Sequence, residues 1–309
     1  MPSRKAAVKS NKNLTYLIAA TIAVIAAVAV LWTTRQATAA APDSEYVYSF
    51  IGQSAGDRTV TNTAADNGGV DMILGASNWA PGVNGIDFNG VPNKTGTSDD
   101  STGVGYANPA GSSPLTMTAA GSLGIAARFT YQRPPAGTCG ANVTGSVSGI
   151  TSNIAQIGRA GSGVSQIKLQ ITECTNGKLT TTPRVSCRAA GQKASTAKGQ
   201  LMTNDNVTLK AGVTYVARCV KGQDSGTTAP ITLLVQPDGQ PAVPADTVYV
   251  PATGAFSSNQ YVSVGNKYAG PEFGDQFFGE VSVMAICQTL AASQVTACLD
   301  SEVPLLVQL

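Results

Sequence analysis

Between Tyr46 and Ile286 the chain repeats one pattern: a short alternating or apolar segment, then residues that favour a turn. Tyr46–Phe50, Gly85–Phe88, Leu123–Tyr131, Asn153–Gly158, Gln166–Thr172 and Pro183–Arg188 read this way. So do Thr214–Val220, Pro230–Gln236, Asp246–Val250, Tyr261–Val264 and Gly279–Ile286. Turn signals such as Asn176-Gly177, Lys221-Gly222 and Pro237-Asp238-Gly239 fall between several of them. Many short strands with no long amphipathic helix among them predict an all-β chain, folded as a two-sheet antiparallel β-sandwich.

Individual segments say more. In Gln166-Ile167-Lys168-Leu169-Gln170-Ile171 the apolar Ile167, Leu169 and Ile171 are expected to face the core, with Gln166, Lys168 and Gln170 outward. Pro230–Gln236 is more continuously apolar and reads as a strand covered on both faces. Thr289–Leu299 has the spacing of one short helix, with Leu290, Val295 and Leu299 on its buried side. Gly90–Ser113 and Arg133–Ser152 read as long loops.

The first 41 residues stand apart. Arg4, Lys5, Lys9 and Lys12 precede an uncharged apolar run, residues 14–32, followed by Ala37-Thr38-Ala39-Ala40-Ala41. Such an order marks either a cleaved export signal or an apolar N-terminal helix that stays as a membrane anchor with its basic flank inside. Under both readings residues 42–309 form the domain and lie outside the cell. Five of the 20 basic residues (those four and Arg35) and none of the 18 acidic ones fall in the leader. The exported part thus keeps 15 basic against 18 acidic, a net of −3, which excludes a basic nucleic-acid footprint. All six cysteines (Cys139, Cys174, Cys187, Cys219, Cys287 and Cys298) lie in the exported part, where an even number points to disulfides. With no His and no Cys-x-x-Cys pair, a zinc site is not expected.

Gly265 to Leu290 reads as a Gly-rich loop, a Phe277-Phe278-Gly279 hinge and a closing strand that ends at Cys287. Ahead of it come Trp79-Ala-Pro-Gly-Val-Asn-Gly-Ile-Asp-Phe-Asn-Gly90, Asn153–Gly158, Gln166–Thr172, Ala211–Cys219 and Leu233–Gly239. The order of these segments resembles secreted bacterial laminin-G-like domains of the concanavalin-A-like superfamily, over roughly residues 46–299. The resemblance implies a jelly roll that binds its ligand with the loops at one end or with a concave sheet face.

The chain departs from that pattern at two places. Val213-Thr214 stands where members often have Trp-His, and Val164-Ser165 where calcium-binding members place an acid. Calcium is therefore conceivable but unsupported, although Asp57, Asp66, Asp99 or Asp100 could build another site; no other cofactor is implied. The family packs the strands of Cys187 and Cys219 side by side, which implies a disulfide between them. Cys287 and Cys298 bracket the last strand and the short helix, and Cys139 with Cys174 follows by elimination.

Related glycan hydrolases need carboxylates alternating along one strand. Glu272, Asp275 and Glu280 are wrongly spaced for this, Asp246 stands alone, and without His no Ser-His-Asp triad can form. The expectation is a non-catalytic module that binds a glycan or an extracellular protein, with Trp79, Tyr106 and Tyr268 as the aromatics able to stack on a sugar. Its rivals are a structural cell-envelope or adhesion protein without a small ligand, and a glycan-active hydrolase.

Overall fold

The computed structural model describes residues 44–64, 71–74, 79–88, 105–107, 115–117, 121–134, 151–161, 164–175, 178–190 and 200–203. It further describes 206–240, 243–258, 262–265, 267–269, 272–274, 277–289 and 291–304. The apolar segment 14–32 and its fate lie outside them.

In chain order the strands begin with β1 (Ser44–Ser49), β2 (Thr59–Val60), β3 (Met72–Leu74), β4 (Ala80–Pro81), β5 (Ile86–Asp87), β6 (Gly105–Ala107) and β7 (Leu115–Met117). The long strands follow: β8 (Ser122–Tyr131), β9 (Thr151–Gly161), β10 (Val164–Thr175), β11 (Lys178–Ala190), β12 (Gln200–Thr203), β13 (Thr214–Lys221) and β14 (Thr228–Pro237). The chain closes through β15 (Asp246–Pro251), β16 (Phe256–Ser258), β17 (Val262–Val264), β18 (Lys267–Ala269), β19 (Glu272–Gly274), β20 (Gly279–Thr289) and one helix, α1 (Ala292–Glu302).

Two eight-stranded sheets result, and every described strand pair is antiparallel. The first runs β15-β14-β13-β8-β20-β5-β4, with β1 also paired to β20. The second runs β12-β11-β10-β9-β17-β6-β3-β2. Two ribbons, β7 with β16 and β18 with β19, complete the set.

The sheets share one core. Ile125, Ala127 and Phe129 of β8 with Tyr215 and Ala217 of β13 come from the first sheet; Ile167, Leu169 and Ile171 of β10 with Ile157, Val185 and Val264 come from the second. Each set recurs every second residue, as a pleated strand with one face buried requires. Phe129 anchors the middle, stacked on Tyr215 at 5.9 Å between ring centroids and edge-on to Phe277 at 5.8 Å. Phe277 and Phe278 are buried, at 0% and 5% exposure. Gly279 follows them with φ 141°, and a Cβ there would lie 2.1 Å from the Thr130 carbonyl oxygen, so the hinge has room only for glycine.

Two covalent links reinforce this packing. Cys187 of β11 is bonded to Cys219 of β13, tying one sheet to the other with Cα atoms 6.0 Å apart. Cys287 of β20 is bonded to Cys298 of α1. Both pairings match expectation. Cys174 is disulfide-bonded too, and Cys139, the partner expected for it, lies outside the described residues.

The helix covers the far side of the first sheet. Val295, Cys298 and Leu299 pack with Val47, Ala126, Val216 and Ala285 in a second, smaller cluster, and Arg218 of β13 is ion-paired with Asp300. Val295 and Leu299 are buried as predicted, whereas Leu290 falls outside the described residues. Two expectations need correcting. Pro230–Gln236 is not apolar-covered on both faces: Ile231, Leu233 and Val235 are in the core, while Thr232 and Leu234 alternate with them half-exposed. The Gly-rich stretch after Gly265 is not simply a loop, because it carries the β18–β19 ribbon.

Phe277→Ala removes the ring that contacts both Phe88 and Phe129. We expect a loss of about 3–5 kcal/mol in oxidising denaturant unfolding; a loss under 1 kcal/mol would place this ring outside the core's keystone packing.

Candidate functional site: the polar face of the second sheet

The alternation that sends Ile167, Leu169 and Ile171 inward leaves Gln166, Lys168 and Gln170 on the opposite face of β10. Its neighbours repeat the arrangement. On β11, Val185, Cys187 and Ala189 are in the core and Arg184, Ser186 and Arg188 alternate with them. On β17, Val262 and Val264 point inward, with Ser263 between them. A β-bulge in β9 near Ile154 keeps Ala155 and Ile157 in the core, with Asn153 and Gln156 opposite the outward positions of β10.

Register aligns these side chains into rows. Ser263 is opposite Gln156, Gln156 opposite Lys168, and Lys168 opposite Arg188, so four adjacent strands contribute one residue each. A second row runs Asn153–Gln170–Ser186. Directly opposed residues in antiparallel strands share a face, and these are close enough to act on one group.

Polar composition alone would make this an ordinary solvated surface. Burial makes it different. Asn153, Gln156, Gln170, Ser186 and Ser263 are fully buried and Lys168 is 4% exposed, so the residues expected to point outward are not at solvent. Several have local partners: Gln156 Nε2 donates to the Gly158 carbonyl at 2.9 Å, and Ser186 and Thr172 hydroxyls meet at 2.9 Å. Yet neither end of the Gln170 amide has a hydrogen-bond partner, and Gln156 Oε1 and Ser263 Oγ have none either. Gln166 stands apart, because it lines a small cavity with Leu123, Ile167, Lys221 and Thr253 that has room for about one water molecule.

The other side of β10 holds a different polar group. Glu173 continues the inward series and is buried, accepting a hydrogen bond from Tyr131 Oη of β8 at 3.2 Å and another from Ser152 Oγ of β9. Burial pushes its carboxyl up to about 8, offset in part by the Tyr131 hydrogen bond and the Arg133 charge. Burial also raises the Tyr131 phenol, and the neighbouring Glu173 adds to the effect. At neutral pH Glu173 is therefore mainly a protonated bridge between the two sheets.

The three aromatics expected to stack on a sugar lie on separate elements. Trp79 precedes β4 in the first sheet and packs half-buried against the core. Tyr268 is on β18, opposite Phe273 of β19. Tyr106 sits on β6 at the register position opposite Ser263. The acids considered for calcium are scattered as well. Asp57 accepts the Ser54 N–H at 2.7 Å within its own turn, and Asp66, Asp99 and Asp100 lie outside the described residues.

No family model matches this chain, and no curated protein does. Solved structures do. It is similar to the CBM40 module of a Ruminococcus gnavus IT-sialidase bound to alpha2,3 sialyllactose, at 10% identity and TM-score 0.36 over 59% of this chain and 82% of that one. A PL-14 alginate lyase from Aplysia kurodai matches at 9% identity and TM-score 0.39, over 80% of this chain and 98% of that one. An endo-beta-1,4-glucuronan lyase from the fungus Trichoderma reesei matches at 11% identity and TM-score 0.36, over 82% and 98%. At such values the likeness assigns no chemistry to this chain.

The expectation of a non-catalytic chain is nonetheless withdrawn, since glycan-cleaving lyases stand beside a binding module among these structures. Its premise was also too narrow. Counting acids along one strand misses pairs made across strands, and Glu280 of β20 is directly opposite Asp87 of β5. Glu280 is held by the β4–β5 turn, where Asn84 N–H donates to its carboxylate and Gly82 leaves no space for a Cβ beside it.

The raised Glu173 value has a sign that can be checked. From pH 4.5 upward the unfolded chain releases this proton while the folded chain keeps it until about pH 8. The contribution of Glu173 therefore weakens the fold as pH rises through that window. Glu173→Gln should remove this component and gain on the parent by on the order of a few kcal/mol at pH 9 relative to pH 4. Parallel pH profiles for the two proteins would show that Glu173 titrates normally.

Proposed function

We propose that the chain is an exported sandwich of the concanavalin-A-like, laminin-G-like jelly-roll type that engages a glycan on the polar face of its second sheet. The observation that carries this reading is Gln170, fully buried with neither amide atom partnered. Leaving a buried polar group unpaired costs about 1–3 kcal/mol. An amide offers both donors and an acceptor, which is the requirement of a sugar hydroxyl that donates and accepts at once. Gln156 Oε1 on the neighbouring β9 and Ser263 Oγ on β17 beyond it extend the same chemistry along the face.

Export is supported by the basic, apolar and small-residue order of residues 1–41, which leaves the sandwich either secreted or tethered through residues 14–32. An oxidising compartment also suits the disulfides Cys187–Cys219 and Cys287–Cys298.

Gln170→Met separates a binding role from a structural one. It keeps the volume of the side chain and deletes an amide that bonds nothing within the described fold. Thermal stability should be unchanged or slightly raised, while retention in affinity electrophoresis against a panel of polysaccharides should fall. Unaltered retention on every polysaccharide that holds the parent protein would refute the assignment to this face.

A further inference from the structure

We propose that the ligand of this face is an uncharged glycan, whose ring hydroxyls donate to Gln156, Gln170 and Ser263 and accept from the Gln170 amide. The inference rests on the glycan reading above and names the sugar class. It follows from the atoms that the fold leaves unbonded, which include both ends of the Gln170 amide, Gln156 Oε1 and Ser263 Oγ. All of these are neutral groups. The cations of the same face, Lys168 and Arg188, already have partners, so the bonding capacity left for a ligand is that of amides and a hydroxyl.

Within this set acceptors dominate. Gln156 Nε2 donates to the Gly158 carbonyl, which fixes the free end of that amide as its oxygen. Gln170 Oε1 is a second oxygen that can only accept, and Ser263 Oγ carries lone pairs besides its one proton. Such atoms are satisfied by a ligand that donates. A carboxylate has no proton to give at neutral pH and would set oxygen against oxygen at both amides. A sugar hydroxyl donates and accepts together, and two adjacent hydroxyls of one ring can meet the oxygen and the nitrogen of the Gln170 amide at once. Burial sharpens the selection. Gln156, Gln170 and Ser263 are fully buried, so an acceptor that meets no donor keeps the cost of its desolvation.

Register sets the extent of the site. Gln156 of β9 is directly opposite Ser263 of β17 and, on its other side, opposite Lys168, two residues before Gln170 on β10. Diagonal neighbours on one sheet face are within reach of long side chains, which lets the two glutamines meet one ring. Three adjacent strands spread the groups over roughly 10 Å, a length that takes a second ring beside Ser263.

The test uses the full-length chain in titration calorimetry with neutral glucan, mannan and galactan tetrasaccharides. Each is compared with the uronic-acid tetrasaccharide of the same ring stereochemistry and linkage. At least one neutral tetrasaccharide is expected to bind, with Kd about tenfold or more higher for its uronic counterpart. Ser263→Ala deletes a hydroxyl that bonds nothing within the described fold, so thermal stability should hold while Kd for the neutral sugar rises about three- to tenfold. Equal or tighter binding of the uronic counterparts by the parent protein overturns the inference and leaves the glycan reading in place. Failure to bind any neutral tetrasaccharide also overturns it, the broader reading then standing or falling with Gln170→Met. An unchanged Kd in Ser263→Ala would contradict the contact assigned to that hydroxyl. The ligand comparison needs only the parent protein, so a variant that fails to fold does not remove the test.

Discussion

The burial of one face of β10 against the first sheet is the constraint from which the rest of the structure follows. Once Ile167, Leu169 and Ile171 are in the core, Lys168 and Gln170 have only the other face to occupy. The Cys187–Cys219 bond joins the sheets beside this strand, at the β11 position opposite Leu169 of β10. Register in turn decides which residues of β9, β11 and β17 stand beside Lys168. A slip of one residue would send Lys168 into the core and Leu169 out of it, and both the packing and the polar rows would be lost.

The two faces of the second sheet put polar groups to different uses. On the core side Glu173, Tyr131 and Ser152 satisfy one another and link β8 to β9 and β10. On the far side Gln170 has no partner, while the cations Lys168 and Arg188 are brought together. The first sheet differs from both, because α1 packs on its outer side and turns that surface into a small second core.

Much of the fold was legible in the sequence. Each of the longer predicted segments, from Tyr46–Phe50 to Gly279–Ile286, contains or overlaps a strand, since four or more alternating residues reveal their period. Strands of two or three residues, such as β2, β4 and β18, carry no period and stayed unread. Pro230–Gln236 misled because Pro230, Leu234 and the core residues together mask an alternation that is present. The site was less visible. Searching for aromatics singled out Trp79, which packs on the core, and searching for acids along one strand could not see Asp87 opposite Glu280. The signal that could have found the face was in Gln-Ile-Lys-Leu-Gln-Ile, where the polar half was read as mere solvent exposure. That Ser263 and Gln156 join it depends on a pairing between distant segments, which local pattern does not contain.

The central claim is that ligand meets the second sheet through side chains that the fold leaves unbonded. Side-chain amide resonances of Gln156 and Gln170, followed by NMR as an oligosaccharide that binds the protein is added, test it most directly. The account predicts that these resonances shift and that their exchange with water slows as the ligand fills the face. Unmoved Gln156 and Gln170 signals, with shifts instead around Trp79 or along β15 of the first sheet, would contradict it.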